Sequence, residues 1–248
     1  MIVSQISPNN HKEKILTALQ KGDLTVTGQF MQSSNYTFLS RVKYQDLEFQ
    51  AVYKPQKGET LLWDFPEGTL CKREVAAYFL SVNLGWDLVP PTVYRHKAPL
   101  GCGALQVFVD HDPNQHYFSF DEKTRQLLKP AVLFDLILNN ADRKGGHILL
   151  DENNHLWLID HGTTFHTEFK LRSVVWEFAG QEIPDYLLSD IQRLGQDLAN
   201  NANLKKELLQ LLSESEFHAL QTRINILLQL KTFPFPDKNR RTIPWPPL

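Results

Sequence analysis

The sequence predicts an α+β fold with an antiparallel sheet in its first part and mainly helices in its second. Three observations predict it. Runs of β-branched and aromatic residues divided by polar turns dominate residues 24–109, and apolar positions at helical spacing dominate from residue 130 onward. Between them lies the polar segment His111–Ser119 with a proline, which sets the expected domain boundaries at 1–110 and 111–248.

The elements follow in order. Lys12 to Lys21 alternates apolar and charged residues at helical spacing and stops at Gly22, so it reads as a short amphipathic helix. Leu24–Phe30, Tyr36–Lys43 and Leu47–Tyr53 read as an antiparallel meander, the last two joined by a turn around Gln45 and Asp46. A polar tip, Met31-Gln32-Ser33-Ser34-Asn35, joins the first two. Beyond Lys54-Pro55 and a loop with Trp63, Thr69 is the expected N-cap of a helix from Leu70 to about Val82 that Gly85 ends. Thr92–Arg95 and Ala104–Val109 are two more strands around a turn with Gly101 and Gly103.

In the second part, Pro130 suits the first position of a helix through Leu138, where its missing N–H is not needed. The irregular loop Asn139–His147 then leads into a β-hairpin, His147–Leu150 against His155–Ile159, that ends in Asp160-His161-Gly162. Pro184–Leu198 and Leu204–Leu230 are read as two helices, and a proline-rich, irregular stretch follows.

Composition narrows the function classes. Lys+Arg 26 against Asp+Glu 28 gives a net charge of -2, so no global basic field exists to collect DNA or RNA, and nucleic acid is not an expected partner. Two cysteines, Cys71 and Cys102, form neither a disulfide framework nor a CxxC knuckle. The first residues lack a basic region followed by an apolar run, so a cytoplasmic location is expected, and no apolar stretch is long enough for a transmembrane segment. Nothing in the sequence bears on oligomeric state.

A hairpin brings the residues before its first strand beside those after its second, so Asp142 and Asp160 are expected at one open end. Two carboxylates there suit metal-assisted phosphoryl transfer, one on a cation and one near the attacking hydroxyl. Lys54 can supply a cation for nucleotide phosphates. Glu74, expected in the first turn of its helix, can hold that ammonium. Each residue also has a plainer explanation: a solvated strand lysine, a loop ion pair between Asp142 and Arg143, a turn-forming Asp160, a capping Glu74. A zinc hydrolase built on the histidines from His147 to His166 is a weaker alternative, because no HExxH pair shares a helical face. Asp135, in an apolar helix, is expected to anchor the Asp142 loop by hydrogen bonds.

Ala51-Val52-Tyr53-Lys54-Pro55, Arg73-Glu74, Gln106-Val107-Phe108-Val109, Asn140-Ala141-Asp142-Arg143 and Ile159-Asp160-His161-Gly162 stand in that order. They resemble successive motifs of the phosphatidylinositol 3-/4-kinase-like branch of the protein-kinase superfamily. The likeness is nearest to type II phosphatidylinositol 4-kinases and small bacterial relatives, and it covers about Ser33 to Gly180. It implies a bilobal protein-kinase-like fold with ATP in a cleft near residues 106–113. By it Lys54 would contact the α/β-phosphates, Glu74 would pair with Lys54, and the backbone at Phe108 and Val109 would meet adenine. Asp142 would be the catalytic aspartate and Asp160 a metal ligand.

Two departures accompany the likeness. No GxGxxG loop is present, and Ser33 and Ser34 resemble instead the serine-bearing phosphate loop of the lipid-kinase branch. His147 stands five positions after Asp142, where kinases usually carry a metal-binding Asn, and imidazole favours Mn²⁺ over Mg²⁺. Lys144 matches the catalytic-loop lysine of Ser/Thr kinases. The expectation is an ATP- and Mg²⁺- or Mn²⁺-dependent kinase acting on an unidentified hydroxyl acceptor, with a non-catalytic ATP-binding pseudokinase and a phosphatidylinositol kinase as alternatives. Type II lipid kinases carry a Cys-rich insertion before the helix, and Thr60–Thr69 has none, which ranks a protein or small-molecule acceptor above phosphoinositide.

Overall fold

A computed structural model of the chain describes residues 8–31 and 35–248. The chain forms two compact units: one runs up to Val75 and adds Pro90–Phe108, and the other holds Ala76–Val89 with Val109–Leu248. The α+β class with an antiparallel sheet and mainly helical remainder is the one expected.

The first unit holds α1 (Pro8–Lys21) and a five-stranded sheet of β1 (Asp23–Gln29), β2 (Phe38–Tyr44), β3 (Leu47–Pro55), β4 (Thr92–Arg95) and β5 (Gly103–Val107), in the order β1-β2-β3-β5-β4. Every pairing is antiparallel. A two-residue turn joins β2 to β3, since Tyr44 pairs with Leu47, and Gln45 there takes a φ of 55°. Ala18 and Leu19 of α1 pack with Val42, Ala51, Tyr53, Val93 and Leu105 as the core. Strand alternation then turns Lys54 away from that core, to the face opposite Tyr53. Gly103 permits the close approach of β5 to the lysine strand: a Cβ there would sit 2.3 Å from the Lys54 carbonyl oxygen.

The helix α2 (Leu70–Leu84) starts in the first unit and continues into the second. Its N-terminus is not capped as expected. The Thr69 hydroxyl donates to the Pro66 carbonyl at 2.7 Å, and the Glu59 carboxylate instead accepts the N–H groups of Leu70 at 3.1 Å and Cys71 at 2.8 Å. An anion suits these orphan donors and the positive end of the helix dipole. We expect Glu59→Ala to lower stability by about 1 kcal/mol, the usual cost of a lost N-cap. Thermal unfolding should show a fall of roughly 2–4 °C, and an unchanged midpoint would refute the cap.

The second unit is mainly helical, with α3 (Glu122–Gln126), α4 (Lys129–Leu138), α5 (Asp185–Asn200), α6 (Ala202–Leu209) and α7 (Glu214–Leu230), and one hairpin of β6 (Ile148–Leu150) and β7 (Leu156–Leu158). Leu133, Phe134, Ile137, Phe165, Leu187, Phe217 and Leu220 are buried in it. The expected single helix from Leu204 to Leu230 is two helices. Ser213 breaks it with a capping box, in which its Oγ accepts the Glu216 N–H at 3.3 Å and Glu216 Oε2 accepts the Ser213 N–H at 2.8 Å. Among the described residues no helix is long and apolar enough to cross a membrane.

Candidate active site

In the first unit, Lys54 Nζ and Glu74 Oε1 form an ion pair with side chains only 17% and 3% exposed. A buried ammonium and carboxylate have to satisfy each other, because either alone would be costly to desolvate. Glu74 is the fifth residue of α2, beyond its first turn, so the dipole role expected for it does not apply. The Phe108 N–H donates to the Gln50 carbonyl at 3.0 Å, and Nδ1 of His111 lies 2.9 Å from the Val109 carbonyl oxygen. Phe108 is the last residue of the first unit and Val109 opens the final stretch of the second. Ser33 and Ser34 lie outside the described residues.

In the second unit, the loop from Asn139 to His147 is built on a fully buried arginine. Arg143 Nε donates to Asp135 Oδ2 at 2.8 Å and Nη2 to Asp135 Oδ1 at 3.0 Å, a two-pronged contact with neither side chain more than 4% exposed. Arg143 Nη1 donates to the carbonyls of His147 and Ile159 at 3.1 and 2.8 Å, which ties the two ends of the hairpin together. Nη2 also lies 2.9 Å from His161 Nε2. Asn140 adds to the network, donating to Asp135 Oδ1 at 2.9 Å and accepting the Asp142 N–H at 3.0 Å. Arg143 therefore pairs with Asp135 and not with its neighbour Asp142.

This scaffold leaves Asp142 half-buried on the loop with Lys144 Nζ 3.6 Å from its Oδ2. Burial pushes the Asp142 carboxyl up to about 6; Lys144 opposes the rise, the charge of Asp160 adds to it, and Arg172 opposes it. At the open end of the hairpin His147 Nε2 is 3.4 Å from Asp160 Oδ2, and His147 Nδ1 is 3.1 Å from the Asp142 carbonyl oxygen. A ring nitrogen facing a carbonyl carries the hydrogen, so Nε2 of a neutral His147 turns its lone pair toward the Asp160 carboxylate. A cation between the two suits that arrangement. Asp160 itself has a φ of 59° and a side chain 42% exposed.

Among the described residues no three His, Cys, Asp or Glu side chains gather as a metal cage. The Asp160–His147 pair fits instead a cation that completes its shell with phosphate oxygens and water. The sequence reading missed Arg143, His161 and Glu59 as the groups that hold these segments. For Arg143 the only signal was its place beside Asp142.

The sequence matches the family model for phosphatidylinositol 3- and 4-kinases over residues 16–223. It is 36% identical over 263 residues to Protein Rv2133c of Mycobacterium tuberculosis, a match covering 92% of this chain and 93% of that one. It is 30% identical over 190 residues to phosphatidylinositol 4-kinase gamma 4 of Arabidopsis thaliana, covering 63% of this chain and 33% of the plant protein, so the match spans about a third of that relative. In fold it is similar to the crystal structure of the Helicobacter pylori proinflammatory kinase CtkA, with a TM-score of 0.50, 13% identity, and coverage of 87% and 94% of the two chains. Matched by one family model along most of its length, the chain belongs to the phosphatidylinositol 3- and 4-kinase family.

Proposed function

We propose that the protein transfers the γ-phosphoryl group of ATP, with a divalent cation, to a hydroxyl of a protein or small-molecule acceptor. The observation that carries this reading is Asp142, a carboxylate raised to about 6 beside Lys144 on a loop fixed from below by Arg143 and Asp135. A base with a pKa near neutrality accepts a proton from a hydroxyl as it attacks, and its oxygen orients that hydroxyl. Lys144 Nζ neutralises charge on the transferred phosphoryl oxygens. In the first unit Lys54, steadied by Glu74, binds the α/β-phosphates. Asp160 and His147 Nε2 would hold the cation, which supplies positive charge to the phosphate oxygens.

Two further readings have an observation each. The imidazole at the usual Asn position, tied by Nδ1 to the Asp142 carbonyl, favours a nucleotide-binding pseudokinase. The name of the plant relative favours a phosphatidylinositol acceptor. Purified protein with γ-labelled ATP, Mg²⁺ or Mn²⁺ and a panel of proteins, soluble alcohols and phosphatidylinositol vesicles separates the three. We expect label on a non-lipid acceptor and weaker nucleotide binding in Lys54→Met. Nucleotide binding without transfer, autophosphorylation or hydrolysis would establish the pseudokinase. Strong labelling of the vesicles that Asp142→Asn abolishes would establish the lipid kinase.

A further inference from the structure

The proline-rich stretch after α7 has irregular backbone, yet it is bonded both to the segment that carries Arg143 and to the segment that pairs with it. The Gly145 N–H, one residue after Lys144, donates to the Pro247 carbonyl at 2.8 Å. The Thr242 carbonyl accepts the Ser173 N–H at 2.9 Å and the Trp176 Nε1–H at 3.2 Å. Ser173 in turn forms a parallel bridge with Arg143: the Arg143 N–H donates to the Arg172 carbonyl at 3.0 Å and the Val174 N–H to the Arg143 carbonyl at 3.1 Å. One short segment thus grips the Asp142–Lys144 loop directly at Gly145 and through Ser173 on its other side.

Side chains reinforce the grip. A Cβ at Gly145 would lie 2.7 Å from Phe118 Cε2, a clash that glycine avoids, and 3.5 Å from Leu248 Cδ1, an ordinary contact distance, so Leu248 lies close over the loop backbone. A Cβ at Gly146 would lie 3.8 Å from the same leucine atom. Three of the seven residues Thr242–Leu248 are prolines, which fix φ and lose little entropy when the segment is ordered.

We propose that Thr242–Leu248 is a positioning strap that holds Asp142 and Lys144 in the geometry phosphoryl transfer needs. The proposal rests on the phosphotransfer reading given above. The bonds described join the segment to Gly145, Ser173 and Trp176, none of which is a reacting group. The segment acts by fixing Gly145 and Ser173, and displacement of a catalytic group by about 1 Å costs on the order of 10²-fold in rate. Pro247 and Thr242 act through backbone carbonyls, Leu248 and Trp176 through side chains.

The test uses the full chain with Leu248→Ala, which removes the side chain lying over Gly145 and Gly146, and separately Trp176→Phe, which keeps an aromatic ring and removes the Nε1–H bond to Thr242. Amide hydrogen exchange of the native protein is read at Gly145 and Ser173, and also at Asp142 and Arg143, whose N–H groups bond to Asn140 and Arg172 rather than to the strap. We expect exchange to rise at all four amides in each variant, and kcat to fall about tenfold with KM for ATP unchanged within twofold. Faster exchange confined to Gly145 and Ser173, or an unchanged kcat, would make the segment local packing and overturn the proposal. A higher kcat would overturn it too, by showing that the segment obstructs the acceptor. If the wild-type protein transfers no label to any acceptor, the phosphotransfer reading fails by itself, and the exchange at Asp142 and Arg143 still decides whether the strap holds the loop.

Discussion

Replacing Arg143 by Met should cost the second unit about 3–5 kcal/mol, the range for breaking a buried pair by removing one partner. The guanidinium is fully buried and makes two bonds to Asp135 and two to the carbonyls of His147 and Ile159. Methionine fills much of the volume but leaves a buried carboxylate without its counter-charge and two carbonyls without this donor. Urea unfolding followed by tryptophan fluorescence measures the loss. Trp86, Trp157, Trp176 and Trp245 all belong to the second unit, so the signal reports mainly that unit. The double variant Arg143→Met with Asp135→Leu should recover part of the loss, because the uncompensated charge is then gone. A loss below about 1 kcal/mol in the single variant, the range for exposed pairs, would show that the network does not hold the loop.

That network shows where the sequence was readable. The β-branched and aromatic run of β3, the two-residue turn after Tyr44 and the hairpin after His147 are local patterns, and each element lies within a residue or two of its expected place. Asp142 and Asp160 share the open end of the hairpin because spacing and pairing alone bring them there. Arg143 was harder. Its partner is eight residues away on α4, and whether a charged loop residue points inward depends on the path of the backbone, which composition does not encode. The cap of α2 failed for the same reason. Thr69 is the local candidate, but Glu59, eleven residues before Leu70, reaches the helix end through the fold of the intervening loop. The break at Ser213 is different, because Ser213-Glu214-Ser215-Glu216 is a readable capping box that the continuous apolar periodicity on both sides concealed. The proline-rich segment could be read as irregular, but its bonds to Gly145 and Ser173 join residues about 70 to 100 positions apart and leave no local trace.

Asp142→Asn should abolish transfer and stabilise the protein in the same experiment. Loss of a positioned general base typically costs 10²–10⁴ in rate, and in the wild type activity should decline as pH falls through about 6, where the carboxylate takes up its proton. The stability effect has the opposite sense. Burial raises the folded-state pKa from 3.8 to about 6, so between those values the folded protein binds the proton more tightly than the unfolded chain does. Stability from this group is therefore greatest at low pH and is lost as pH rises through that window. The full shift corresponds to roughly 3 kcal/mol. The side chain is 36% exposed and Lys144 lies beside it, so screening reduces the expected cost at pH 7.5 to about 1 kcal/mol. Asparagine carries no charge to desolvate, so Asp142→Asn should be about 1 kcal/mol more stable than wild type at pH 7.5 and equal to it near pH 4. Unfolding is followed at both values with a chelator present, because a cation near Asp160 would offset the charge that helps raise Asp142. A variant that loses activity but gains no stability at pH 7.5 would show that Asp142 is better solvated than its surroundings indicate, and that its proton affinity is not what suits it to be the base.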